Sequence, residues 1–112
     1  MTFKKRVEIL IPTHYEPILN NGEYEKINGD EYATTYKELT DRFRGWTHDP
    51  TVKAGEWLDD NGVKFSDNTT TLYCDIDDTE KNKQFWIGYK EVLKKRFKQK
   101  EIYITIHDVE VI

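Results

Sequence analysis

The order in which two kinds of apolar repeat follow each other constrains the fold of this chain most strongly. Some stretches alternate apolar and polar side chains, the two-residue period of a strand with one buried face. Others place apolar side chains at every third or fourth residue, which is the period of a helix. The stretches follow one another as strand, helix, strand, strand, helix, strand. Because 112 residues are too few for two independent cores, we predict one α+β domain spanning residues 1–112.

The strands are predicted from alternation and from the turn residues that bound it. The first strand ends at Pro12, which lacks the N–H that a ladder needs. A weaker segment turns or bulges at Asp60-Asn61-Gly62. The parity of the last strand changes at Asp108, which predicts a bulge there. The apolar residues that alternate are Val7, Ile9 and Ile11 in the first strand, Leu72, Cys74 and Ile76 in the third, and Ile102, Ile104 and Ile106 in the last.

Two helices are predicted between these strands. Asp30 is the expected cap of the first helix, and Gly45 is its expected left-handed terminator. The Asp77-Asp78-Thr79 cluster is expected to cap the second helix, which runs to about Gln99. The apolar stripes comprise Tyr32, Tyr36, Leu39, Phe43 and Trp46 in the first helix and Phe85, Trp86, Tyr89, Val92, Leu93 and Phe97 in the second.

The polar segment from Thr13 to Gly29 is unusually long for a connection in a compact domain. Its turn-forming residues predict a small hairpin about Asn21-Gly22. Long connections of this kind are commonly functional loops. We therefore expect this segment to border a binding site.

Charge and cysteine content restrict the partners that the chain can have. The net charge of −4 argues against nucleic acid or an anionic membrane as a partner, since both require many Lys and Arg. Cys74 is the only cysteine, so no intramolecular disulfide can form, and we expect a buried thiol. The apolar run after Arg6 is interrupted by Glu8 and stops at Pro12, too early for a secretion signal. A soluble cytoplasmic protein is predicted.

The element order resembles the ferredoxin-like fold, in which two helices cover one face of a four-stranded antiparallel sheet. The resemblance covers 6–112 and carries no functional motif. It implies the strand order 4-1-3-2, which places Asp75, Asp77 and Asp78 beside the basic residues Lys4 to Arg6. It also allows His48 and His107 to approach each other at that end of the sheet.

The sheet face turned away from the helices is the predicted functional surface. Its composition is too apolar for a solvated surface and too polar for a second core, which indicates a ligand site or self-association, either by this face or along the last strand. We expect a ligand between this face and the Thr13–Gly29 loop, held by His14, Tyr73, Tyr103 and His107. The predicted members of the face are Glu8, Leu10, Leu58, Thr71, Tyr73, Tyr103, Thr105 and His107, with Val109 and Val111.

The sequence favours a non-catalytic, homodimeric binding or regulatory module over an enzyme. The alternative is a small enzyme that resembles the dimeric α/β-barrel group, with His or Tyr as acid–base residues. No cofactor is predicted, and no metal site either, because helix capping explains Asp75-x-Asp77-Asp78. RNA binding on Tyr73 and Tyr103 is disfavoured, since the motif typical of such domains is absent.

Overall fold

The computed structural model describes residues 1–16 and 24–112, which form the predicted βαββαβ arrangement. The hairpin expected about Asn21-Gly22 lies outside these residues. The elements are β1 (Thr2–Pro12), α1 (Gly29–Phe43), β2 (Thr47–Leu58), β3 (Lys64–Ile76), α2 (Glu80–Arg96) and β4 (Ile104–Val111). The ferredoxin-like fold predicted from element order is confirmed. None of the helices in the described ranges is both long and apolar enough to cross a membrane.

The four strands form one antiparallel sheet in the order β2-β3-β1-β4, so β1 and β3 are central. Val7 lies opposite Cys74 on one side and Ile106 on the other. The pairing of β1 with β3 begins at Pro12 opposite Thr69, whereas β2 and β3 stay paired as far as Leu58 opposite Lys64. Within the described residues, β2 and β3 therefore continue past the end of β1 as a two-stranded ribbon.

Both helices pack against the same face of the sheet. The buried side chains of β1 and β3 alternate as the sequence predicts, and Cys74 is buried among them. Burial raises the pKa of the Cys74 thiol to about 12, so this thiol is unreactive near neutral pH. Between the helices, the Phe43 and Trp86 rings stack at 5.7 Å. The core comprises Val7, Ile9, Ile11, Tyr15, Ile27, Leu39, Leu72, Cys74, Ile76, Trp86, Tyr89, Leu93, Phe97 and Ile102.

The helix ends differ from the sequence prediction in two places. The α1 cap is Asn28, whose side chain accepts from the Asp30 N–H, so the expected cap Asp30 lies inside the helix. Arg44, at φ 70°, takes the left-handed position that was expected of Gly45, and its N–H donates to the Thr40 carbonyl. The α2 cap is Thr79, within the predicted cluster. At both ends of α1 the hydrogen bonds identify the capping residue, because a cap supplies partners to the helical N–H groups or carbonyls that lack them.

Two strand predictions are also corrected. The turn at residues 60–62 separates β2 from β3, and each of these strands is longer than its apolar pattern indicates. The irregularity of the sheet lies in β2, between Asp49 and Lys53, and not at Asp108. Asp108 pairs in register with Lys5, and the two side chains form an ion pair. The strand is therefore regular at Asp108. The apolar pattern changes parity there only because a charged residue occupies a position on the helix side of the sheet.

His48 connects α1 to the two strands beneath it. Its Nδ1 lies 2.8 Å from the Tyr36 hydroxyl oxygen, and its Nε2 lies 2.7 Å from Thr70 Oγ1. Burial lowers the pKa of His48 below its ordinary value of 6.5. The expected approach of His48 to His107 is wrong, because β3 and β1 separate their strands and the two side chains lie on opposite faces.

The His48 environment predicts a loss of stability in mild acid. A His whose pKa is lowered by folding stabilises the fold fully above its unfolded pKa of 6.5, and this contribution falls as the pH drops below that value. We expect the wild type to lose more stability between about pH 7 and pH 5 than His48→Gln. Urea unfolding of both proteins across this range measures the difference. Parallel pH profiles would contradict the prediction.

Candidate functional site

A large cleft lies at the end of the sheet where β1 stops. One side is formed by the chain just after β1 together with Tyr24, and the other by the ribbon of β2 and β3. The cleft has a volume of about 800 Å³, within the usual range for sites that take a small molecule. Its lining residues are His14, Tyr15, Glu16, Tyr24, Ala54, Gly55, Glu56, Ser66, Asp67, Asn68 and Gln99.

The cleft is acidic. Glu16, Glu56 and Asp67 line it, whereas no Lys or Arg does so among the described residues. The undescribed segment 17–23 contains no Lys or Arg in its sequence. Glu56 is paired with Lys64 at 3.1 Å on the ribbon. The cleft therefore presents a negative potential to a small molecule that enters it.

Glu16 and Asp67 are the two carboxylates that burial affects most clearly. Removal from water raises the pKa of Asp67, and it also raises the pKa of Glu16, with a smaller contribution from the charge of Asp67. The Glu16 carboxylate accepts a hydrogen bond from the Lys100 backbone N–H at 3.3 Å. Holding two partly desolvated carboxylates in one cleft costs free energy, which a bound cation would offset.

Gly55 allows the Asp67 carboxylate to lie against the ribbon. These two residues are opposite each other in the pairing of β2 with β3. A Cβ atom at residue 55 would come within 3.1 Å of Asp67 Oδ1, closer than most real contacts of this kind. A larger side chain at this position would therefore displace the carboxylate.

His14 is the predicted site residue that lies in the cleft. Its Nδ1 is 2.7 Å from Thr13 Oγ1, and its backbone carbonyl accepts a hydrogen bond from Gln99 Nε2 at 2.9 Å. An isolated bridge to Lys26 ties the two described ends of the loop together. The rim of the cleft is thus fixed from both the end of β1 and the segment after α2.

The other three predicted site residues lie on the open sheet face. Tyr73 is covered by the Arg6 guanidinium, 4.5 Å from the ring centroid, and Arg6 also forms two hydrogen bonds with Asp75. His107 Nε2 lies 3.6 Å from Glu8 and 2.7 Å from Thr105 Oγ1. The expected proximity of the acidic cluster to residues 4–6 is confirmed, since Lys4 and Lys5 also pair with Asp77 and Asp78.

Of two further residues predicted on the open face, Tyr103 lies there and Leu58 does not. Tyr103 is 63% exposed, and its carbonyl accepts the Leu10 N–H at the junction of β1 and β4. Leu58 does not belong to the open face, contrary to prediction: it pairs with Lys64 on the ribbon, while Trp57 stacks on Phe65 at 4.5 Å on the opposite side. The structure thus divides the four predicted residues between the cleft and the open face.

Three residues that line the cleft were not predicted from the sequence to belong to a site: Glu16, Tyr24 and Asp67. Glu16 and Tyr24 lie in the long polar segment that is predicted to border a ligand. The sequence thus indicates the segment, but it does not single out these two residues. Asp67 follows the turn in a stretch without a strong apolar pattern. Only the length of the paired ribbon brings it to the cleft.

Comparisons with known proteins identify a similar fold but no family. No protein-family model matches the chain, and no curated protein matches it in sequence. A solved structure of a phage SAM lyase in complex with S-methyl-5'-thioadenosine is similar over 97% of this chain and 89% of that one, with a TM-score of 0.56 and 9% identity. At this identity the likeness establishes the shared arrangement of strands and helices alone.

Proposed function

We propose that this protein is a small enzyme that binds an adenosine-containing sulfonium compound in the sheet-end cleft and cleaves it as a lyase. The observation that carries the proposal is that two partly desolvated carboxylates, Glu16 and Asp67, line one cleft of about 800 Å³ together with Tyr24. The fold shared with the phage SAM lyase supports the choice of ligand class. We further propose that the protein acts in the cytoplasm.

The charge of the cleft favours a cationic ligand. A positive sulfonium or ammonium group between Glu16 and Asp67 would gain Coulomb energy in a partly desolvated site, where such interactions are stronger than in water. Tyr15 and Tyr24 line the same cleft, but Tyr15 is 7% exposed and belongs to the core, whereas Tyr24 is 37% exposed and offers aromatic surface to an adenine ring or a cation. Lys98 already occupies one face of the Tyr15 ring, at 4.9 Å from its centroid. Tyr24 is therefore the better candidate for ring stacking.

Calorimetric titration with matched ligands tests the binding step. S-adenosylmethionine carries the sulfonium charge, whereas S-adenosylhomocysteine is nearly the same shape without it. We expect the charged compound to bind more tightly, and chromatography to detect S-methyl-5'-thioadenosine as a product. Absence of binding heat for both compounds would overturn the proposed function, and binding without product would leave a binding protein in place of an enzyme.

Asp67→Asn is predicted to separate binding from stability. The substitution keeps the shape of the side chain but removes the charge, so the affinity for the sulfonium compound should fall by about tenfold or more. A carboxyl whose pKa is raised by folding destabilises the fold above that pKa, so the melting temperature at pH 7 should be at least that of the wild type. Calorimetry and thermal unfolding measure the two quantities.

Glu56→Gln is the matched control for Asp67→Asn. Its carboxylate lines the same cleft but is already paired with Lys64. We expect a smaller change in affinity than at Asp67, because a surface ion pair neutralises much of its field. Equal losses for both variants would show that general negative charge, and not the desolvated carboxylate, attracts the ligand.

A non-catalytic homodimeric module is the second proposal. The favouring observation is the open face itself, which neither α1 nor α2 covers and which carries the exposed Tyr103 ring beside β4. In this proposal a ligand bridges the cleft and the open face, contacting His14, Tyr73, Tyr103 and His107. Tyr103→Ser would then weaken ligand binding as strongly as Asp67→Asn, whereas a ligand confined to the cleft requires no such loss.

A further inference from the structure

β4 is an edge strand of regular register, and this distinguishes it from the other edge of the sheet. β2, at the opposite edge, contains Pro50 and an irregular register between Asp49 and Lys53, two features that discourage pairing with another chain. β4 pairs with β1 without interruption from Ile104 to Val111 and contains no Pro or Gly. Of the two edges, β4 is thus the one available for strand addition.

The hydrogen-bond pattern shows which groups of β4 face outward. The Leu10 N–H donates to the Tyr103 carbonyl, so the backbone of Tyr103 faces β1. In an antiparallel pair the direction alternates with each residue, so Thr105 and His107 also face β1. The backbone N–H and C=O groups of Ile104, Ile106, Asp108 and Glu110 therefore point away from the sheet. Among the described residues, no strand pairs with them.

The side chains of β4 are complementary to a second copy of the same strand. With the two-fold axis at Ile106, two Ile106 side chains meet, Tyr103 lies opposite Val109, and Thr105 lies opposite His107. Ile106 is 47% exposed in the single chain, so burying it against its twin removes apolar surface from water. An axis at Asp108 would instead place two carboxylates together, which is unfavourable.

The open sheet face is a weaker site for the same contact. Arg6 is paired with Asp75, and Glu8 lies close to His107, so its central charges are neutralised within one chain. Stacking two such faces would bury these ion pairs, and desolvating them costs free energy. A strand-to-strand contact leaves both pairs in place and adds backbone hydrogen bonds.

We propose that two copies of this chain associate by antiparallel pairing of their β4 strands about Ile106, which forms one continuous eight-stranded sheet. The partner is thus a second copy of the chain, joined by a two-fold isologous contact. The inference is independent of the proposed ligand, because the cleft lies at the end of the sheet and not along this edge.

Light scattering with size-exclusion chromatography tests the proposal. We expect a mass of twice 13.4 kDa for the wild type. Ile106→Lys should give a folded monomer, whereas Val92→Lys on α2, which is 43% exposed, should leave the dimer intact. A monomeric wild type at its highest soluble concentration would overturn the proposal, and so would a dimer that survives Ile106→Lys.

Cross-linking tests the register. Ile106→Cys places two thiols at the proposed axis, so a short bismaleimide should join two chains in high yield. The buried Cys74 makes the unmodified protein a suitable blank, and Val92→Cys is the control for random collision. Equal cross-linking at the two introduced cysteines would contradict the β4 contact, even if the protein is a dimer.

Discussion

Phe97→Ala is expected to lower the free energy of unfolding by about 3–5 kcal/mol, the range for large-to-small changes at fully buried aromatic positions. Phe97 is 0% exposed and packs against the Tyr32 ring at 5.6 Å, so it joins the end of α2 to the start of α1. Its N–H also closes the last turn of α2 by donating to the Leu93 carbonyl. Because domains of this size are commonly stable by only about 5–15 kcal/mol, the variant should be close to unfolding at physiological temperature.

Urea unfolding of Phe97→Ala measures this cost, and Val92→Ala provides the matched comparison. Val92 lies on the same helix with an exposed side chain, and Ala is the better helix former, so its variant should change stability by about 0.5 kcal/mol or less. A cost below about 1 kcal/mol for Phe97→Ala would show that this end of the core can collapse around the cavity.

Arg96→Met is expected to destabilise the fold by about 2–3 kcal/mol, because it leaves buried polar partners without a donor. The Arg96 side chain is 12% exposed and bridges the two helices. Its Nη1 donates to Thr35 Oγ1 at 2.8 Å and to the Tyr89 hydroxyl at 3.3 Å, and its Nη2 donates to Glu38. Met retains most of the volume of the side chain, so the loss reports on the polar network and not on a cavity.

The double variant Arg96→Met with Glu38→Gln separates the charge from the hydrogen bonds. Removing the unpaired carboxylate should restore part of the lost stability, as expected for residues that share one network. Lys95→Met, at an exposed neighbouring position, is the control and should be nearly neutral. Additive effects of the two changes would show that Glu38 does not depend on Arg96 in the folded protein.

Apolar periodicity was sufficient to predict the architecture. The stripes of Leu39 and Leu93 and the alternation about Ile9 and Leu72 each specify one buried face, and only a few connections can bring those faces together. Helix ends were less predictable, because Arg44 adopts a left-handed conformation for which Gly45 is intrinsically better suited. In this conformation the Arg44 N–H donates to the Thr40 carbonyl, a hydrogen bond that the sequence pattern does not reveal.

The candidate site could be predicted only in part. His14 and Glu16 were placed near it by the long polar connection that follows β1. Asp67 could not be placed there from the sequence, because its position depends on how far β2 and β3 remain paired. Polar side chains do not indicate the length of that pairing. Tyr73 and His107 were assigned correctly to one sheet face by parity, but parity alone does not reveal that Arg6 and Glu8 already engage them.

The ribbon that extends past β1 has a consequence for how such a protein can change over time. One wall of the cleft belongs to this ribbon, which is joined to the chain after β1 by the Thr13 N–H donating to the Asn68 carbonyl and is fastened at its tip by Lys100 and Asp59, 2.6 Å apart. Substitutions on that wall therefore alter what the cleft accepts without disturbing the residues that hold the domain together. A scaffold divided in this way can acquire a new ligand while its interior stays almost constant.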